Sequence, residues 1–223
     1  MTIPTLIANI NGTKYRSQFK KTLSTLNQAV KMNVANHDFD FSNVGNCINK
    51  DTDNPENIMS ICAIFNGSLT GKYASNFSKV YTKDNKMYYL DVYNKTTPDT
   101  LIKEQGLELY IFTLNDGSIF AFHAPYGFQE NIICTKNNKP ITELLQDTRF
   151  QKYCVGFIDT NGTSLPNKET RCSDGKSHTI DIDSECIVPN KANYMNDVFP
   201  VLMYDATIAP ASAAARYVLN TSK

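Results

Sequence analysis

Phe19-Lys-Lys-Thr-Leu-Ser-Thr-Leu-Asn-Gln-Ala-Val30 is the stretch that decides the fold. Its apolar residues fall at Phe19, Leu23, Leu26 and Val30, and the series runs on to Val34 in steps of three and four. That spacing lays them along one stripe of an α-helix. Toward the start of the chain Ile3, Leu6, Ile7 and Ile10 step the same way, and Gly12-Thr13 slips the phase between the two runs. Pro4 fits a helix only in its first turn or at a kink. The expectation is therefore a helix over residues 1–35 that opens at Pro4 or continues a longer one. A stripe of this kind is ordinarily the face a helix turns to its own domain. Phe19, Leu23, Leu26 and Val30 are accordingly expected to pack the helix on the rest of the fold.

The polar residues of this helix carry one sign of charge. Up to His37 there are five basic residues (Lys14, Arg16, Lys20, Lys21, Lys31) and no acidic ones. The chain has 22 of each in all, so the remainder is left with 17 basic and 22 acidic residues, a net of −5. A basic amphipathic helix ahead of a mildly acidic body suits a membrane surface, an acidic partner or plain solvation. Overall neutrality gives nucleic acid no electrostatic footprint, and none is expected as a partner.

Ile3-Pro-Thr-Leu-Ile-Ala-Asn9, followed by a basic helix ending in Leu23-Ser-Thr-Leu-Asn-Gln-Ala29, resembles type IV pilins and pseudopilins just beyond their prepilin cleavage and methylation region. The resemblance implies a strongly apolar helix half before Pro4, which these 223 residues do not include. In that family it anchors the precursor in the inner membrane and later packs in the filament core. A second group of motifs is similar to the family's sheet. These are Leu114-Asn-Asp-Gly-Ser-Ile119, Val155-Gly-Phe-Ile-Asp-Thr-Asn-Gly162, Pro166-Asn167 and Asp197-Val-Phe199. The departure lies at about residues 168–196, where relatives have only a few residues and this chain has about thirty, including Cys172 and Cys186.

The expected fold class is α+β, a single pilin-like domain over 1–223 in which the long amino-terminal helix lies on a four- or five-stranded antiparallel sheet. The sheet region is expected at 86–205, with the insertion at about 168–196. Asn36 to Asn57 reads as loop, Glu56 to Phe65 as a short helix and Asn66 to Asn85 as irregular. Lys86 to Tyr93 alternates like a strand. Leu107 to Leu114 and Ser118 to His123 flank Asn115-Asp116-Gly117, whose residues accept positive φ, and so predict a hairpin. Ile141 to Phe150 predicts one short helix and Tyr153 to Ile158 a strand. Lys176 to Val188 alternates weakly. Val198 to Tyr204 is apolar, and Pro200 predicts that it is an edge strand or two short pieces. Pro210 predicts a terminal helix over Ala211 to Leu219 with the proline in its first turn.

The six cysteines (Cys47, Cys62, Cys134, Cys154, Cys172, Cys186) contain no Cys-x-x-Cys pair, and an even number spread through loop-rich sequence suits an oxidising compartment. They admit fifteen pairings. Neighbour pairing, 47–62, 134–154 and 172–186, closes three short loops and is the expected arrangement, with buried free thiols as the other outcome. No run of about 18 apolar residues exists to cross a bilayer.

Asp159, Asn161, Asn167 and Asp197 are oxygen donors of the kind calcium takes. Some pseudopilins bind calcium near this end of the sheet, so the resemblance makes a site conceivable here. The alternative is a plain turn whose Asx side chains bond their own backbone. Asp181, Asp183 and Glu185 alternate, and on a strand would share one face, where they could bind a cation or a basic partner; the expected role is a solvated edge that blocks aggregation. His37, His123 and His178 form no metal or catalytic spacing, and no phosphate loop, nucleophile elbow or dinucleotide fingerprint occurs. The chain is not expected to be an enzyme. The resemblance implies a structural subunit of a type IV pilus or a secretion pseudopilus, partnered by other pilin-like subunits and located in a periplasmic or cell-surface filament of a bacterium. A rival reading is a secreted adhesin or glycan-binding module, with Tyr88, Tyr89, Tyr93, Tyr110 and Tyr126 and the 168–196 insertion as its surface.

Overall fold

The computed structural model describes residues 3–44, 59–66, 69, 72–74, 82–83, 86–87, 109–123, 134–162, 164, 166 and 168–221. Helix α1 (Ile3–His37) has 35 residues, about 52 Å at 1.5 Å per residue. Gly12, Tyr15, Phe19, Thr22, Leu23, Leu26, Ala29, Val30 and Asn33 are buried along it, one continuous stripe at helical spacing. The helix stops at Asp38, which adopts the left-handed conformation (φ 59) while its N–H still reaches the Val34 carbonyl at 3.0 Å. Asn33 then donates from Nδ2 to the Phe39 carbonyl at 2.7 Å and fixes the exit.

The other elements, in chain order, are a 3₁₀ turn (Phe41–Asn43), α2 (Ile61–Asn66), β1 (Lys72–Ala74), β2 (Thr82–Lys83), β3 (Lys86–Met87), β4 (Leu109–Thr113), β5 (Ile119–His123), α3 (Ile141–Leu144), α4 (Thr148–Cys154), β6 (Val155–Asp159), β7 (Val198–Tyr204), β8 (Thr207–Pro210) and α5 (Ala213–Asn220). One six-stranded sheet has the order β1-β4-β5-β6-β7-β8, antiparallel throughout, and β2 with β3 forms a separate ribbon. The class is α+β. The sheet has more strands than the four or five expected and reaches beyond 86–205: β1, like β2, lies in the stretch expected to be irregular, and both β1 and β8 are too short to show in the sequence.

The registers Phe112↔Phe120, Phe120↔Ile158 and Ile158↔Phe199 place four apolar side chains in a row across β4, β5, β6 and β7 on one face. Directly opposed residues share a face of a sheet. Phe65 of α2 sits over this row, 5.3 Å from the Phe112 ring and 5.1 Å from that of Phe120. Phe19 of α1 stacks on Phe199 at 4.2 Å. Gly156 lets the rows close, since a Cβ there would stand 2.5 Å from the Ala121 carbonyl.

The β4–β5 hairpin turns through Asn115-Asp116-Gly117, with Gly117 at φ 83 and Leu114 N–H donating to the Ser118 carbonyl at 2.8 Å. Several sequence expectations are corrected. Ile141 to Phe150 is two short helices, because the Asp147 carboxylate accepts the Phe150 N–H at 3.3 Å and starts a new helix after a break. That second helix runs through Tyr153 and Cys154, so the strand begins at Val155. Lys176 to Val188 forms no strand; it is irregular, with short turns over 178–184 and an isolated bridge from Thr179 to Ser212. The terminal helix is capped by Ser212, whose hydroxyl accepts the Ala215 N–H, and Pro210 is instead the last residue of β8.

Pro200 is neither at an edge nor at a break. It sits inside the seven-residue strand β7, with β6 on one side and β8 on the other. Its carbonyl accepts the Ala211 N–H at 2.9 Å, and the Ala211 carbonyl, which would take the N–H that proline lacks, accepts the Ile180 N–H at 2.7 Å. The insertion therefore supplies the missing donor. Ile180 holds φ 63 to do so, an unusual conformation for a β-branched residue.

Of the expected strand Lys86 to Tyr93 only Lys86–Met87 is described, and the expected Cys47–Cys62 pair lies partly outside the described residues. Cys62 is disulfide-bonded. Cys134–Cys154 and Cys172–Cys186 are both formed.

Candidate functional site

Two regions concentrate polar chemistry on this frame: the contact of α1 with the sheet, and the 168–197 segment beside its upper end. Along α1 the apolar stripe is flanked by specific polar contacts. Asn27 donates from Nδ2 to the Ile208 carbonyl at 2.9 Å and accepts the Ile208 N–H on Oδ1 at 2.9 Å, so its amide pairs the outer edge of β8 as another strand would. Thr22 donates to the Ser118 hydroxyl at 3.1 Å in a buried contact. Lys21 lies 3.3 Å from Asp116 in the hairpin turn.

The basic residues are thus not all a free face. Arg16 is buried, and its guanidinium and the Lys20 ammonium converge on Thr221 just past α5; Lys20 Nζ is 2.6 Å from the Thr221 carbonyl. Cations at a helix C-terminus meet the negative end of its dipole. Lys14, Lys21 and Lys31 are exposed.

Burial pushes the Asp116 carboxyl up. Hydrogen bonds from the Ser118 hydroxyl and N–H, with Lys21 and Gln18, outweigh this and leave it below its ordinary value. The hairpin turn therefore presents a stable anion to α1.

At the upper end the structure brings Asp159, Asn161 and Asp197 together beneath Tyr15 of α1. Asp159 and Asp197 are fully buried. Asp159 accepts the Asn161 N–H at 3.1 Å, and Asp197 accepts the Lys168 N–H at 2.8 Å. Burial pushes the Tyr15 hydroxyl up, the Asp197 charge adds to this, a hydrogen bond with Asn161 opposes it, and Asp159 contributes last. Asn167, the fourth of the expected oxygen donors, lies outside the described residues. Asp159, Asn161 and Asp197 carry five side-chain oxygens between them, fewer than the six to eight that calcium takes, and one oxygen on each carboxylate already accepts a backbone N–H.

The segment from Lys168 is wired to the sheet from its first residues. Val198 donates to the Lys168 carbonyl and Thr170 to the Val198 carbonyl, both at 3.0 Å, which adds a short parallel pairing at the start of β7. Glu169 is fully buried and accepts the Thr179 hydroxyl. The segment also reaches α1: a Cβ on Gly12 would stand 2.0 Å from Asn190 Oδ1. Asp181, Asp183 and Glu185 are exposed in turns, with Asp183 paired to Arg216, and they form no row on a strand. His178 Nε2 is 2.7 Å from Asp174 Oδ2.

Tyr88, Tyr89, Tyr93 and Tyr126 lie outside the described residues; Tyr110 lies in β4 opposite Phe122. His37 is exposed at the end of α1, and His123 closes β5. Sequence reasoning did not find Gly12, Tyr15, Asn27 or Glu169. Gly12 carried a signal, as the phase slip in the helix, while single polar residues flanking an apolar stripe carry none.

These features define a class: an α+β protein in which a long helix is clamped by apolar stacking and side-chain hydrogen bonds onto an antiparallel sheet, with disulfides in the segments around it. No family model, curated protein or solved structure matches the chain. Among the described residues no helix is long and apolar enough to cross a membrane.

Proposed function

We propose that this chain is the head of a pilin-like or pseudopilin-like subunit, a non-enzymatic structural protein that assembles through the start of α1. The observation that supports the reading is how α1 is divided. From Gly12 to Asn33 it is docked, yet the helix begins nine residues earlier, and Ile10, just ahead of the docked part, is 59% exposed. Ile3-Pro-Thr-Leu-Ile-Ala-Asn-Ile10, helical and ahead of the docked part, would give a neighbouring copy an apolar-rich rod to pack on. The pilin-like fold and the filament partners belong to this proposal, as does a bacterial periplasmic or surface location.

The test is a photo-crosslinking residue at Ile10 in the full-length protein expressed in its native host. Crosslinks to a second copy or to another small helical subunit are expected, together with an in-frame apolar helix of about 20 residues encoded ahead of Met1. A chain whose gene encodes no such helix and which crosslinks to nothing is not a filament subunit.

A further inference from the structure

The loop closed by Cys172–Cys186 brings three donor groups of a metal site together and bonds the first of them to a fourth. Cys172 Sγ, an Asp174 carboxylate oxygen and a His178 ring nitrogen all lie within 4.8 Å of one another, and Cys186 Sγ is bonded to the first. Two sulfurs, one nitrogen and one oxygen are the donor types that zinc takes in four-coordinate sites. Bond lengths of about 2.0–2.3 Å around a tetrahedral zinc put its ligands roughly 3.3–3.8 Å apart, so the two sulfurs must separate once reduced and His178 and Asp174, 2.7 Å apart, must open slightly.

Backbone hydrogen bonds hold these donors in addition to the sulfur–sulfur bond. Cys172 N–H donates to the Lys176 carbonyl at 2.7 Å, and Gly175 N–H to the Cys172 carbonyl at 2.9 Å. Lys176 N–H donates to Asp174 Oδ1 at 3.0 Å. The two arms are joined again where Ser173 N–H donates to the Ile187 carbonyl at 2.8 Å. The His178 carbonyl accepts the Ala213 N–H at 3.3 Å, which ties that residue to the start of α5.

We propose that this loop has two exchangeable staples: the disulfide under oxidising conditions, and under reducing conditions a zinc-class divalent cation bound by Cys172, Cys186, Asp174 and His178. In the first step a dithiol reductant delivers two electrons to the sulfur–sulfur bond and becomes a disulfide itself, while each protein sulfur takes up a proton. In the second the cation displaces the two thiol protons and binds both sulfurs, the carboxylate and the neutral imidazole. Two thiolates and one carboxylate leave a single net negative charge around a divalent ion, and the Lys176 ammonium beside Asp174 offsets it. In the oxidised chain a disulfide sulfur is a poor ligand, and His178 keeps its hydrogen bond to Asp174.

The experiment titrates cobalt(II), as a spectroscopic stand-in for zinc, into the full chain in its oxidised form and after reduction with a non-chelating phosphine. The reduced chain is expected to bind one cobalt with the thiolate charge-transfer and tetrahedral ligand-field bands, zinc should displace it, and the oxidised chain should give neither band. His178→Ala and Asp174→Ala should each weaken binding by more than about tenfold while leaving every thiol in place. Cys134→Ser/Cys154→Ser should leave it unchanged. The proposal is overturned if the reduced chain gives no tetrahedral thiolate spectrum. It is equally overturned if His178→Ala binds as tightly as the unaltered chain, or if removing Cys134 and Cys154 abolishes the signal.

Discussion

Asn27, in the middle of α1, hydrogen-bonds both the N–H and the carbonyl of Ile208, so a helix side chain seals the outer edge of the last strand. Unpaired strand edges recruit other chains. Replacing Asn27 with Ala leaves two backbone groups in a partly buried place without partners, at a cost of about 1–3 kcal/mol. Chemical denaturation should show that loss, and light scattering should show self-association that the unaltered protein lacks.

Phe19 stacks on Phe199 and is fully buried, so the docking of α1 is expected to depend on it. Phe19→Ala should cost about 3–5 kcal/mol and Leu26→Ala about 2–5 kcal/mol, since both are fully buried. Met32→Ala, on the same helix but 52% exposed, should stay within about 0.5 kcal/mol. Equal, small changes in unfolding midpoint for all three would mean that α1 is not docked in solution.

Asp116 makes the helix–hairpin contact sensitive to acid. Its folded-state carboxyl is held below the ordinary value, so its stabilising contribution is present at pH values above the unfolded value of about 3.9. That contribution is lost as pH falls through the lower, folded value. Asp116→Asn should lower stability at neutral pH and flatten the decline between about pH 5 and acid, as read by thermal unfolding across that range.

At Gly12 the insertion comes close to the backbone of α1. Gly12→Ala puts a methyl group 2.0 Å from Asn190 Oδ1, closer than atoms can approach, so the Asn190 side chain must move. The expected loss is about 1–3 kcal/mol. The double variant Gly12→Ala/Asn190→Ala should recover most of it, and a double-mutant cycle in thermal unfolding measures the recovery.

The insertion shows how far reading the chain locally can go. Pro200 in an apolar run argues for a strand edge, because proline removes a ladder donor. The argument is sound locally, and the fold defeats it from a distance: Ile180, twenty residues upstream, provides the N–H instead. The same distance hid the meeting of Tyr15 with Asp159, Asn161 and Asp197. Each partner looks like an ordinary turn or surface residue until the chain brings the other one to it.

What this sequence determines by itself is whatever depends on neighbours within a few positions. Apolar residues three and four apart make α1 a helix with one buried face, and Asn115-Asp116-Gly117 turns one strand back on the next because its glycine accepts positive φ. Tertiary structure alone decides where β7 and β8 sit, which side chains close their edges and which carboxylates are buried. Those outcomes turn on whether a donor, an acceptor or an opposing surface arrives from far along the chain, and no local pattern records that.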